Sequence, residues 1–510
     1  MKALKNWLLL FACFAVNVQA ADVSDYINEA RSPLFQNISG WMSKGLLIKK
    51  RINLNKAFDR SPNPQEFNSV EDTFRINYEF FMKDPEFKCR RPTYYKYFAA
   101  LLKTTPFADV ECKMNNQVTL ISESSNGSAP MIARKIDPSR IYQIHYLFAG
   151  KGKQMMSRWG HAMFRIVLCA PGRTEVGPEC LQDFAHHIVV SYRANIEDMN
   201  IDYAKGMNGA YASQLFLMNM SEVVAEYTKG EFRDVISLPM RMTAEEINHF
   251  TDKLLENYWS YKGQYFFLTN NCATEAMNLL RAAFPNNSKI QTVNIASPLG
   301  MYDYLVKNKI TDPNILNDRK AAKALGYLFP GVSEKLEKSL NLFAKDINLS
   351  FEDFALKLSP TERKALYEQK ANELEGNNGQ MSLLANALRL EEQILLSREQ
   401  QFAKKIGNAL FGKEPMPELK DTIIDEKILE LKNLYKKMTS ESYLAKGYGI
   451  PLENEFRVAS PESIKAIQDE IQVNMEELKQ IAVKFFPDEV EEMKGAIENR
   501  HWIMAKIDLL

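Results

Sequence analysis

Asn270-Asn271-Cys272-Ala273-Thr274-Glu275 is the stretch on which the reading of this 510-residue chain turns. A helix is expected to begin just after Asn271 and to run to about Phe284, where Pro285 ends it. Cys272 then stands at a helix start. The partial positive charge there favours a thiolate over a thiol, and the thiolate is the nucleophile. The first free amides of that helix, with Asn270 or Asn271 nearby, suit the stabilisation of an oxyanion. The competing reading is a cysteine that merely packs the helix onto a sheet.

Working outward, residues from about 138 to 290 read as strands followed by helices. Ile141 to Phe148, His161 to Leu168, Phe184 to Tyr192 and Phe232 to Leu238 are aromatic and aliphatic, and Gly, Pro or polar clusters bound them. Thr243 and Glu246 form a capping box that opens a helix to about Tyr258. Ser157-Arg158-Trp159-Gly160-His161-Ala162-Met163-Phe164-Arg165 places His161 at the start of a strand after a glycine turn. There it can take a proton from a thiol facing it. Ser157 and Arg165, which frame it, are candidate substrate-orienting residues. A strand-borne histidine followed by a hairpin, more strand and helix, and then a cysteine at a helix start is a coherent nucleophile–base layout.

A third group should orient the histidine. If the strand from His161 pairs with the one ending near Tyr192, His161 faces a position between about 187 and 191, and alternation leaves His187 and Ser191 as candidates. His186 and His187 lack further ligands at a sensible spacing, so neither a metal nor another cofactor is expected. The stretch Tyr211 to Met220 reads as core, with an acyl groove or membrane contact as the alternative. Glu231 and Arg233 read as a structural ion pair, with headgroup binding as the alternative.

The six cysteines sharpen the choice of nucleophile. Lys2 and Lys5, the apolar run Trp7 to Val16 and the small residues Val18 and Ala20 read as a signal peptide over 1–20, cut after Ala20. Cys13 then leaves with it. Cys89 with Cys112 and Cys169 with Cys180 can each close a short loop in an oxidising compartment, and Cys272 is left over. The alternative is five reduced, buried thiols. Sixty-four basic residues balance 64 acidic ones, which gives no electrostatic case for nucleic acid.

Three regions are expected after the signal: a mixed accessory domain over 21–135, a catalytic domain over 136–300, and a helical domain over 301–510. The last has many charges at helical spacing and little chemistry, which suits packing or contact with a protein partner.

The order of histidine strand before cysteine helix is the reverse of that in papain-type enzymes. It looks like a circularly permuted papain fold of the α+β class, an order that lecithin:retinol acyltransferase and its relatives share. The motifs Ser157-x-x-Gly160-His161-x-x-x-Arg165, Val190-Ser191-Tyr192-x-Ala194, Glu226-Tyr227-x-x-x-Glu231-x-Arg233-Asp234 and Tyr265-Phe266-Phe267-x-x-Asn270-Asn271-Cys272 resemble the periplasmic domain of the Lnb-type bacterial lipoprotein N-acyltransferases. Phe80-Phe81 through Cys89-Arg90-Arg91-Pro92 resembles the small domain that often precedes it. The resemblance covers roughly residues 40 to 285. It implies a thioester on Cys272, with a phospholipid as acyl donor and a lipoprotein amine as acceptor. The family's lipoprotein enzyme carries a membrane-spanning C-terminal part where this chain has charged helices. Three functions are therefore expected to compete: a cysteine-dependent acyltransferase or hydrolase on lipid or lipoprotein, with peripheral membrane contact; a cell-wall peptidase or amidase using the same Cys–His pair; and a non-catalytic periplasmic scaffold.

Overall fold

A computed structural model describes residues 22–39, 69–112, 117–120, 132–151, 159–195, 203–261, 263–344, 349–374, 379–411 and 486–509, with scattered positions between 426 and 480. The expected signal segment 1–20, the residue Ser157 and much of the expected helical domain between 412 and 485 lie outside the described residues.

Strands β1 (Gln117–Leu120) and β2 (Ile132–Lys135) form a separate antiparallel pair. The other strands are β3 (Ile141–Ala149), β4 (His161–Leu168), β5 (Ile188–Asn195), β6 (Tyr211–Asn219), β7 (Val235–Pro239), β8 (Gly263–Tyr265) and β9 (Leu328–Phe329). They make one sheet in the order β8-β6-β5-β4-β3-β7-β9, antiparallel at every pairing. With its covering helices the fold is α+β. Tyr211–Asn219, read from sequence as core, is the strand β6. The last strand, β9, lies beyond residue 300 and pairs with β7, so the sheet recruits chain from the helical region.

The period-two alternation of the strands divides the sheet into two faces. On one face Tyr146, Ala162, Phe164, Val190, Tyr192 and Leu217 pack against two helices, Ala244–Ser260 and Cys272–Ala283. The first is opened by the capping box: Thr243 N–H donates to Glu246 at 2.7 Å and Glu246 N–H returns to Thr243 Oγ1 at 3.2 Å. On the other face Leu147, Met163, Val189, Met218 and Val235 pack against Met220, Val223 and Tyr227.

Two further cores flank the sheet. The helices Val70–Lys83 and Pro92–Leu102 gather Phe74, Phe81 and Phe98 around Phe35. This unit is tied to the sheet's helices by polar contacts. Asn37 Nδ2 donates to Gln291 Oε1 at 2.7 Å, and Glu256 accepts from the Thr93 amide at 2.6 Å. The C-terminal helices bury Leu336, Phe354, Tyr367, Leu390 and Ile503 around a fully enclosed Arg363–Glu391 ion pair of 2.8 Å. They meet the sheet unit at the π-helical turn Glu226–Gly230, where Gln393 donates to the Lys229 carbonyl at 2.9 Å.

Cys89 is bonded to Cys112 and Cys169 to Cys180, as expected, and Cys272 is a buried free thiol. The second bond closes the connection between β4 and β5. Among the described residues no helix is long and apolar enough to cross a membrane.

Candidate active site

Cys272 is the first residue of its helix, and Asn271 is the N-cap. The Asn271 carboxamide oxygen accepts from the Ala273 and Thr274 amides at 3.0 and 3.4 Å, which satisfies two of the donors a helix start leaves open. Its Nδ2 donates to the carbonyls of Phe267 and Ala296. Asn270 Nδ2 donates to the Gln264 carbonyl and to Glu275 Oε1, both at 2.8 Å. Both carboxamide donors are therefore committed to the loop that delivers the cysteine, and neither is turned to the thiol. The expectation that Asn270 or Asn271 faces the reacting carbonyl finds no support in this geometry.

The thiol meets the sheet where the sheet comes apart. The β4–β5 ladder runs from Ile166↔Ile188 to Met163↔Ser191 and stops there. Beyond Ser191, β5 continues to pair with β6 alone, from Tyr192↔Leu215 to Asn195↔Ala212. One residue past the last β4–β5 rung, Ala162 packs in the same cluster as Cys272, and its backbone amide favours the charged form of the thiol. That amide belongs to the peptide unit joining His161 to Ala162. Cys272 is thus packed against the residue that follows His161, 111 positions away in the chain.

His161 follows Gly160, whose φ of +83° suits glycine, and a Cβ there would strike the Phe148 ring and the Ala149 carbonyl. His161 shares a sheet face with Met163 and so with Ser191 across the ladder, and its Nε2 is 2.9 Å from Ser191 Oγ. Arg193 Nε donates to the same Oγ at 3.1 Å, and the Arg193 guanidinium is held by Glu226 at 2.9 and 3.1 Å. Tyr227 stacks on the imidazole at a centroid distance of 6.0 Å and lies under the guanidinium of Arg233 at 4.9 Å. Glu231 and Arg233 form the expected ion pair at 2.5 Å, and Arg233 is also anchored on the Ala149 and Gly150 carbonyls.

His187, the other candidate orienting group, is on the same face but at the far end of the hairpin. It accepts from Arg165 at 2.8 Å through Nδ1, and its Nε2 meets the Cys180 carbonyl at 2.9 Å. The chain over Phe184–His186 is a 3-10 turn and the strand begins only at Ile188, which shifts the register by which both candidates were drawn. Arg165 is fully buried and donates to Ser237 Oγ and to the Gly326 carbonyl as well as to His187. It is a strut across the sheet's back face, and its recorded contacts are all with His187, Ser237 and Gly326 there.

Electrostatics corrects one expectation. Burial pushes the Cys272 thiol up and outweighs the amides of Ala162, Ala273 and Cys272 and the Tyr265 hydroxyl, which act the other way. Burial, with the charges of Arg193 and Arg233, holds His161 well below the ordinary histidine range. At neutral pH the pair rests as thiol and neutral imidazole. The helix start alone does not make a thiolate here, because desolvation disfavours the charged form more than a partial charge supports it.

Sequence reasoning missed Tyr265, Arg193 and Glu226 as members of the site. Tyr265 OH accepts from the Cys272 amide at 3.3 Å. The available signal was the short spacing to the cysteine, and a tyrosine at that distance reads equally well as core.

Comparison with known families finds two matching stretches. Residues 129–308 match the Lnb N-terminal periplasmic domain, in agreement with the resemblance drawn from the motifs. Residues 25–111 match a domain of unknown function, DUF7844. No curated protein and no solved structure matches the chain. The periplasmic family and the two disulfides fit an extracytoplasmic protein.

Proposed function

We propose that this protein is a thiol acyltransferase or hydrolase that works through an acyl thioester on Cys272, with a phospholipid or lipoprotein as the source of the acyl group. The observation that supports this reading is the position of Cys272 at its helix start, packed against Ala162, the residue next to His161 on β4, with the His161 imidazole hydrogen-bonded to Ser191. The fold assigned to the unit is the circularly permuted papain-like one. Its extent runs from about 136 to β9, with 1–20 removed on export.

In this mechanism Ser191 Oγ accepts from Arg193 Nε–H with one lone pair and from His161 Nε2–H with the other. Nδ1 is then the bare nitrogen. It removes the thiol proton as sulfur adds to the acyl carbonyl, so the base acts during attack and no resting ion pair is needed. The imidazolium formed in that step returns its proton to the departing alkoxide. An amine or water then enters by the same path in reverse and releases the acyl group.

The test is incubation with a clickable phospholipid. A hydroxylamine-sensitive label on Cys272, absent in Cys272→Ser and His161→Ala, is the expected result. No such label under turnover conditions refutes the reading. Release of new muropeptides from purified peptidoglycan in its place would move the same residues to cell-wall chemistry.

A further inference from the structure

We propose that Tyr265 is a catalytic residue: its hydroxyl, together with the Cys272 amide, binds the oxyanion that forms when the Cys272 sulfur adds to an acyl carbonyl. This rests on the acyl-transfer reading above. An oxyanion on a carbon bonded to sulfur must lie within hydrogen-bond reach of donors grouped about that sulfur. The carboxamides of Asn270 and Asn271 are committed elsewhere. The Ala162 amide already acts on the thiol, favouring its charged form. Tyr265 supplies a side-chain donor in the right place, because its oxygen is 3.3 Å from the Cys272 amide nitrogen.

The position of that hydroxyl is fixed by the local fold. Tyr265 ends β8, paired with Tyr211 on β6. The chain then turns tightly: the Phe266 amide donates to the Asn270 carbonyl at 3.0 Å, and the Asn270 amide returns to the Phe266 carbonyl at 3.2 Å. Asn271 caps the helix immediately afterwards. The turn is seated from below, since Phe266 lies against Gly209 and Phe267 against Gly206, where a Cβ would collide with either ring. Tyr265 is 7 % exposed, and burial keeps the phenol protonated and so a donor at working pH.

In the resting site the hydroxyl accepts from the Cys272 amide. When a carbonyl enters, the S–C bond forms, the thiol proton passes to His161, and the carbonyl π pair moves onto oxygen. The Tyr265 O–H and the Cys272 N–H then both donate to that oxygen. Collapse restores the carbonyl, breaks the bond to the leaving oxygen and delivers the His161 proton to it.

Tyr265→Phe keeps the ring and removes the donor. Single-turnover labelling of Cys272 by the clickable phospholipid should slow by roughly 100-fold, the order seen when one oxyanion donor is removed. The pH midpoint for alkylation of Cys272 by iodoacetamide should move up as the thiolate loses a hydrogen bond. A folded Tyr265→Phe that labels at the wild-type rate overturns the inference and leaves the acyl-transfer reading standing. A wild-type protein that takes no label brings down both. Should Tyr265→Phe fail to fold, incorporation of 3,5-difluorotyrosine at 265 preserves shape while making the phenol a stronger donor. A changed labelling rate then supports the inference, and an unchanged one refutes it.

Discussion

Replacing Ser191 with alanine removes the one oxygen that joins His161 to Arg193, with bonds of 2.9 Å and 3.1 Å. Ser191 is fully buried, so water does not take the hydroxyl's place without rearrangement. Two consequences follow from that geometry. The half-buried Arg193 Nε and His161 Nε2 lose their acceptor, at a cost of about 1–3 kcal/mol in stability. The lower part of that range applies, because Glu226 still holds the other guanidinium nitrogens. The imidazole also loses its orientation and its tautomer preference. A general base contributes about 100- to 10,000-fold, so a misdirected one that is still present should cost about 10- to 100-fold in acylation rate, equivalent to roughly 1.4–2.8 kcal/mol. The assay is single-turnover acylation of Cys272 in wild type, Ser191→Ala and His161→Ala, alongside thermal unfolding of each. The expected order of rates is wild type, then Ser191→Ala, then His161→Ala. Equal rates for wild type and Ser191→Ala, with His161→Ala inactive, would refute Ser191 as the orienting group.

Other consequences can be checked separately. Because burial raises the Cys272 thiol pKa, its alkylation by iodoacetamide should climb with pH through a midpoint above that of an ordinary cysteine; a plateau already reached at pH 6 would establish a resting ion pair instead. His187 is lowered from 6.5 to about 3, chiefly by burial and then by the Arg165 charge. A depressed histidine contributes stability that is complete above its unfolded value and is lost as pH falls toward its folded one, here by roughly 2 kcal/mol at pH 5. Urea unfolding at pH 7.5 and pH 5 measures this, and His187→Gln, which can still accept from Arg165 and donate to the Cys180 carbonyl, should flatten the difference; an equal acid loss in that variant excludes His187 as its source. In the C-terminal helices, Glu391→Ala strands the buried Arg363 and should destabilise that core by about 3–5 kcal/mol. The paired change Arg363→Met with Glu391→Leu should recover most of the loss in calorimetry, and failure of the pair to recover it would show that the ion pair's geometry matters beyond its charge.

Much of the local structure was legible from residue types. The capping box at Thr243 and Glu246, the glycine turn before His161, the helix opening at Cys272 and the two short-range disulfides depend on neighbours within a few residues or on redox compartment, and the chain states those directly. Strands β3, β4 and β7 were legible because each is an apolar run bounded by turn residues. β8 and β9 were not, since two or three residues leave too few alternations to read.

What only the tertiary structure decided depends on register and desolvation. Ser191 on β5 and His187 just before it are both polar residues, and the choice between them required the rung at which β4 and β5 separate. The contact between Tyr265 and Cys272 required the tight turn that folds the tyrosine back on the helix start. The charge state of Cys272 required knowing how much water the folded chain removes from it. The sequence by itself singles out Cys272, the unpaired cysteine at a helix start, as the candidate nucleophile. Whether that cysteine rests as thiol or thiolate is a property of its surroundings, and those are assembled from strands far apart in the chain.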